Sequence, residues 1–382
     1  MNKQATAQSA RLLYGSSEYN ADILYFSKVF VPDAFIALEV GGKRLGVFGA
    51  LEYGRMVKES KLDLVLSLEE YQEKAKELFR KKGVGPTEII RVLAKEYNIN
   101  NFLVAENFPV GLAFDLKKAR LHIQVIKGPF FPEREIKSKA EVLELKQGNA
   151  ASAVGIRAAE EALRHTIIKG NQLYLDGKVL SSQRLRGLVD IACLQAGAIP
   201  HNTIVAGGGQ ACDPHCIGSG PLRPNELIIV DVFPRLTTSG YHGDMTRTFL
   251  RGKATEAQEK LVSTVQEAQK KALSKVKEGI TGAEIHGIVV DYFIKSGFIT
   301  KKVNNHYEGF FHGTGHGLGL DVHEAPRVNA SNKEGLKLDT VVTVEPGLYY
   351  PGVGGCRIED VVQVKRNGYE MLSNYHYAWQ ID

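Results

Sequence analysis

Cysteine is scarce: Cys193, Cys212, Cys216 and Cys356 are the only four in 382 residues, too few to staple a chain of this length with disulfides. No apolar run approaches the roughly 20 residues that a bilayer-spanning helix needs. The opening stretch, MNKQATAQSARLLYG, lacks the apolar core of a secretory signal. An excess of charge of one sign is also missing, since 48 basic against 43 acidic residues leave only +5. Short basic clusters such as Arg80-Lys81-Lys82 read as solvated faces and turns, so neither nucleic acid nor membrane is expected as a partner. Together these absences predict a soluble, reduced, cytoplasmic protein. What is present, 43% apolar residues over this length, provides for two domains with large cores.

The first third alternates short apolar runs with helical spacing. Residues 22–26, 33–40, 44–50, 63–68, 101–106 and 121–126 read as strands, and 68–80 and 86–97 as helices. Such alternation predicts an α/β domain over residues 1–133 with a parallel or mixed sheet. Two prolines in Gly128-Pro129-Phe130-Phe131-Pro132-Glu133 mark the linker. After it, residues 138–163 read as one long helix. Ser138 and Glu141 form its capping box, and Val142, Leu145, Ala150, Val154 and Leu163 are its candidate buried side. Residues 134–382 form the second domain, with helices at 181–196, 256–276 and 281–295 and strands at 226–233, 245–250, 339–345 and 357–364.

Acids in the second domain stand where a lone charge is costly. Asp231 follows Leu227-Ile228-Ile229-Val230, Glu345 follows Val341-Val342-Thr343-Val344, Glu359 precedes a run with Val361 and Val362, and Asp244 sits just before a strand. Burying one unpaired carboxylate costs several kcal/mol, so these acids need cations. Arg247 and Arg357 could serve one or two of them. Two divalent ions would balance all four. An oxygen-rich shell of this kind suits manganese first, with cobalt or zinc as alternatives. In His312-Gly313-Thr314-Gly315-His316-Gly317-Leu318-Gly319 the histidines are four apart, but each glycine costs a helix about 1 kcal/mol and HExxH is absent. The segment is therefore expected to be extended or irregular, with glycines permitting close approach. Taken singly, Asp231 or Asp244 reads as a turn or cap and each histidine as a satisfied residue. Taken together they point to a metal site. Cys212 and Cys216, around His215, read as packing residues rather than as a structural zinc clip, since no second pair exists.

The order Asp231, Gly243-Asp244-Met245-Thr246-Arg247-Thr248, His312-Gly313-Thr314-Gly315-His316, Val344-Glu345-Pro346-Gly347, Arg357-Ile358-Glu359-Asp360 resembles that of the pita-bread metallopeptidases, most closely their Xaa-Pro group. The resemblance implies an α+β pita-bread catalytic domain behind a creatinase-like α/β domain. It implies five ligands for two divalent ions: Asp231 on one ion, Asp244 and Glu359 bridging, His316 and Glu345 on the second. It further implies that His323 contacts substrate and steadies the tetrahedral intermediate. His215 would be a second active-site histidine, Glu345 a proton carrier and His312 part of the substrate site, while Arg357 would orient Glu359 or the substrate. Asp231 and Asp244 are 13 positions apart, two more than is usual in the family. An even insertion preserves which face a strand residue presents, so the site is expected to survive.

The implied activity is removal of the first residue from peptides with proline in second position, an Xaa-Pro aminopeptidase. The alternatives are an Xaa-Pro dipeptidase (prolidase) and a pita-bread binding module without catalysis. Loss of a ligand would mark the last, and none is lost. Creatinase shares the fold but not these ligands. Short proline-containing peptides and a homodimer are the partners the resemblance implies.

Overall fold

In the first third, the apolar runs come together as one sheet. The structure, a computed structural model, describes residues 8–382; residues 1–7, half of the stretch read for a signal sequence, lie outside the described residues. The chain divides after Glu133 into two compact units. In the first unit, β1 (Gln8–Gly15), β2 (Phe35–Val40), β3 (Lys43–Phe48), β4 (Leu64–Ser67), β5 (Ile99–Val104) and β6 (His122–Val125) form a mixed sheet in the order β4-β3-β2-β1-β5-β6. Helices α3 (Leu68–Phe79) and α4 (Pro86–Glu96) bury Tyr71, Ile89, Ile90 and Leu93 against Leu12, Leu38 and Phe102 of the sheet.

Residues 22–26, read as a strand, are helical: α1 spans Ala21–Ser27. Asn20 accepts from the Ile23 N–H at 3.0 Å and caps it, and Lys28 closes it in the left-handed region at φ 61°. A five-residue apolar run carries too little periodicity to separate helix from strand, and the cap decides. β1 and two further helices, α2 (Ala50–Glu59) and α5 (Val110–Lys118), were not among the expected elements.

Among the described residues the second unit has two main sheets, each backed by a helix pair, and four small ones of two or three strands. One runs in the order Ile204–Gly207, Leu227–Val232, Met245–Arg251, Gln380–Ile381. Its outer face packs Ile228, Val230, Met245 and Phe249 against α6 (Lys139–Arg164) and α7 (Ser182–Gln195). The other runs Glu324–Val328, Gly315–Gly317, Val341–Val344, Asp360–Lys365, Gly368–Met371. It packs Val342, Val344, Val362 and Val364 against α8 (Glu256–Leu273) and α9 (Gly282–Lys295). Each of these valines is fully buried, worth roughly 1.5–3 kcal/mol apiece. Among the described residues no helix is long and apolar enough to cross a membrane.

Ser138 and Glu141 cap α6 reciprocally, as their spacing predicts. Of its expected buried side, Val142, Leu145 and Leu163 are buried, but Ala150 is exposed and Val154 half-buried. Gly148 takes the core-facing place, because a Cβ there would lie 2.6 Å from the His242 carbonyl oxygen. Residues 357–364, read as one strand, are two: Gly354–Arg357 and Asp360–Lys365. They part because the Glu359 N–H turns to the Thr246 carbonyl at 3.1 Å, a bond to the other sheet.

Candidate metal centre

The Asp231 strand and the Asp244 strand pair antiparallel, with Asp231 opposite Thr246. Thr246 is two residues beyond Asp244, so all three share one face. The extra residues between the acids are taken up by the turn after Val232, where Arg235 bridges to His242. Asp244 is held from α6, as its N–H donates to Asn149 Oδ1 at 3.2 Å. Thr246 Oγ1 donates to Glu359 Oε2 at 2.7 Å.

His316 lies on the extended segment Gly315–Gly317 of the second sheet. A Cβ at Gly315 would stand 2.0 Å from the Thr343 carbonyl oxygen and one at Gly317 2.1 Å from that of Ala325. Only glycine therefore admits the flanking strands to this distance, while Thr343 Oγ1 accepts from the His316 N–H at 3.1 Å. The Glu345 N–H donates to the Thr314 carbonyl at 2.8 Å. From α8, Gln269 Nε2 reaches the carbonyls of Val344 (3.1 Å) and Ile358 (3.3 Å), tying together the strands that carry Glu345 and Glu359.

Asp244, His316 and Glu359 offer ligand atoms within 4.8 Å of one another. His316 Nε2 is 3.7 Å from Asp244 Oδ2 and 3.5 Å from Glu345 Oε1. Asp231 joins them through Arg357, whose guanidinium lies 2.7 Å from Asp231 Oδ2. Asp231 Oδ1 is buried without a hydrogen-bond partner. Arg357 donates directly into the site, and Arg327, opposite His316 in the second sheet, bears on it by charge, acting to lower both Glu345 and His316. Arg247 donates instead to Asp360 at 2.8 Å and to the carbonyls of Thr246, Glu359, Tyr375 and His376. Arg357, expected to orient Glu359 or the substrate, donates to Asp231 Oδ2 at 2.7 Å and through Nε to Thr246 Oγ1 at 3.3 Å, the hydroxyl that donates to Glu359.

Four carboxyls against the Arg357 guanidinium, with Arg327 near Glu345, distort the acid–base chemistry. Burial, then the Glu359 charge, pushes the Asp244 and Glu345 carboxyls well above the usual range. Burial, then Asp231, raises Glu359 to about 8. Burial, then the neighbouring His323, lowers His316 to about 3. Such a set is a poor ion pair network and a good cation site, since it holds carboxyls whose ionisation awaits a positive charge, a neutral imidazole and an orphaned carboxylate oxygen.

Of the other residues singled out, His323 is exposed, and its ring stands edge-on to His316 with centroids 4.4 Å apart. His215 is exposed and adds to the electrostatic lowering of both His312 and His323. His312 is half-buried, with Nε2 2.8 Å from the Tyr349 hydroxyl and its ring 4.9 Å from Phe310. Cys212 and Cys216 are unpaired and half-buried, Cys212 packing beside Tyr349.

Sequence reasoning missed Asn149, Gln269 and Tyr349. A glutamine in the apolar stripe of α8, between Ala268 and Ala272, was the available signal for Gln269. Tyr349, fully buried, receives the Arg357 N–H at 3.1 Å while contacting His312. Tyr349→Phe leaves both partners short of a hydrogen bond in the interior. It should cost about 1–3 kcal/mol, read as a lowered thermal midpoint; an unchanged midpoint would show that solvent satisfies them.

Residues 144–366, well over half of the chain, match metallopeptidase family M24. Converging acids and a histidine between two helix-backed sheets are the pita-bread arrangement, and the chain belongs to metallopeptidase family M24, whose members use divalent metal ions. It is 29% identical to the Xaa-Pro dipeptidase of Pyrococcus horikoshii over 72% of this chain and 73% of the relative. It is 34% identical to that of Pyrococcus furiosus over 45% of this chain and 47% of the relative, so that alignment spans about half of that protein. In structure it is similar to the Pyrococcus horikoshii prolidase (TM-score 0.77, 26% identity, 96% and 94% of the two chains). It also resembles the X-Pro aminopeptidase of Thermotoga maritima in fold (TM-score 0.80, 22% identity, 98% and 97%).

Proposed function

We propose that the protein is a metal-dependent peptidase that cleaves beside proline, acting foremost as an Xaa-Pro dipeptidase. The observation that carries this is that Asp244, His316 and Glu359 offer ligand atoms within 4.8 Å of one another, with Glu345 3.5 Å from His316 and Asp231 held 2.7 Å from Arg357. The sequence reading put the aminopeptidase first. The dipeptidase now takes precedence, because the two Pyrococcus relatives bear that name, whereas the aminopeptidase neighbour, at 22% identity, speaks to fold alone.

In this reading all five residues hold two divalent ions, manganese being the first expectation. Ions bound there supply a water acidified toward neutral pH and a Lewis acid for the scissile carbonyl. The chain's own groups do the rest. Glu345, half-buried beside His316, takes a proton at its carboxylate and returns it to the leaving nitrogen. His323, exposed beside His316, donates to the carbonyl oxygen as charge develops there. His312, with Phe310 and Tyr349 around its ring, gives an apolar wall to a proline ring that has no N–H to satisfy. His215, exposed, is near enough to His312 and His323 to act on both by charge. Arg357 fixes Asp231 rather than touching substrate. A cytoplasmic homodimer completes the proposal; free thiols at Cys193 and Cys356 accord with a reducing compartment.

The test is a panel of Xaa-Pro dipeptides, Xaa-Pro-Yaa tripeptides and proline-free peptides with added Mn²⁺. The dipeptides should be cut fastest. Faster cleavage of tripeptides would restore the aminopeptidase reading, and equal rates without proline would end both.

A further inference from the structure

His323 follows a turn with few regular backbone bonds, yet it must be held to act. The residue after it, Glu324, begins the strand Glu324–Val328 and is paired with Gly317, next to His316. Its side chain is only 10% exposed and carries two cations: Arg134 Nη2 at 2.7 Å on Oε2, and Lys137 Nζ on Oε1. The Lys137 side chain is 2% exposed. Arg134 also holds Asp321 at 2.7 Å, on the other side of His323. The cations are themselves anchored. The Lys137 N–H donates to the Asp339 carbonyl at 3.0 Å and Ile136 bridges to Thr340, at the foot of the strand that leads to Glu345. The turn closes on the carboxylate, since a Cβ at Gly319 would lie 2.3 Å from Glu324 Oε1. The Gly319 carbonyl in turn accepts the His242 N–H at 2.9 Å, two residues before Asp244.

A lysine this deeply buried, with an arginine on the same carboxylate, is more than a surface pair needs. We propose that Glu324, gripped by Arg134 and Lys137, is a positioning residue that sets the His323 imidazole edge-on to His316. The inference rests on the peptidase reading given above. Among the described residues the Glu324 carboxylate pairs with Arg134 and Lys137, so it acts through its chain neighbour His323.

Glu324→Gln keeps the shape and removes the charge that both cations seek. In the full-length enzyme loaded with Mn²⁺, it should keep its metal content and alter KM on an Xaa-Pro dipeptide by no more than about threefold. Its kcat should fall on the order of ten- to a hundredfold, the scale of a small misplacement of a reacting group. In a His323→Ala background the same change should add nothing to the loss, whereas a merely structural role would multiply with it. Lys137→Arg, which preserves the pair, should leave kcat within about threefold of wild type. In the metal-free protein the imidazole NMR resonance of His323 should move in E324Q. If E324Q does not fold, Arg134→Gln carries the same expectations. Wild-type kcat in E324Q, losses that multiply with His323→Ala, or full recovery on adding metal would overturn the proposal. A wild type that cuts no Xaa-Pro peptide would sink the peptidase reading instead, and the His323 resonance would still report on the clamp.

Discussion

Metal-free Asp244→Asn should unfold at or above the midpoint of metal-free wild type at pH 8, while losing peptidase activity and its thermal response to Mn²⁺. Removing a buried acid usually destabilises. Here Asp244 is raised well above the usual carboxylate range by burial and then by Glu359, Asp231 and Glu345. In the absence of cations it is therefore a burden on the fold, and asparagine keeps its size without its charge. The same residue is the one that Asn149 and α6 hold in place, so its cost is tolerated for binding rather than for stability. Activity should fall by about 10³-fold or more, beyond the 10–100-fold that loss of a ligand's hydrogen-bonded support costs. Differential scanning calorimetry with and without Mn²⁺ checks the pair of claims. A metal-free variant markedly less stable than wild type, or one that still gains from Mn²⁺, would remove Asp244 from the site.

The second expectation concerns pH and metal removal together. Glu359 ionises near 4.5 when free and is pushed up to about 8 in the folded chain. A group raised in this way contributes stability that is complete below its unfolded value and is lost as pH rises through the folded one. The histidines work oppositely: His312 and His316 are lowered from 6.5 to about 3, so they favour folding above 6.5 and lose that contribution as pH falls below it. Below pH 6.5 the two effects compete, and from 6.5 to about 8 only the carboxyls titrate. The metal-stripped protein should therefore lose stability across that upper window. Cations require the carboxylates ionised, so binding releases protons and tightens as pH rises. The midpoint shift produced by Mn²⁺ should grow across the same window. At a free concentration 100 times its Kd, one ion adds about 2.7 kcal/mol, roughly 5–10 °C for a unit of this size. Metal-stripped protein that gains stability from pH 6.5 to 8 would contradict the charge assignment.

The outline of the catalytic unit was open to reading because its signals are local. Ser138 with Glu141, and a threonine three residues before Gln258 or Glu284, announce helix starts through bonds made within four residues. Acids that end valine runs on buried strands, and glycines spaced through the His312–Gly319 segment, declare a costly feature whatever surrounds them. Parity alone carried the expectation that Asp231 and Asp244 face the same way, and the pairing of Asp231 with Thr246 agrees.

The sequence by itself thus determined the division near residue 133, most of the helices, the central strands that carry or flank the acids, and which acids stand at costly positions. Tertiary structure decided the partners. It gave Arg357 to Asp231 and Arg247 to Asp360, made Tyr349 the link between His312 and Arg357, and brought Arg134 and Lys137 to Glu324 across nearly 190 positions of chain. It also split the strand around Glu359, whose N–H bonds to the other sheet. The reason is physical: a cap or a buried acid is recognisable from its own neighbours, whereas a charge's choice among several counter-charges depends on distances set only when the sheets have packed.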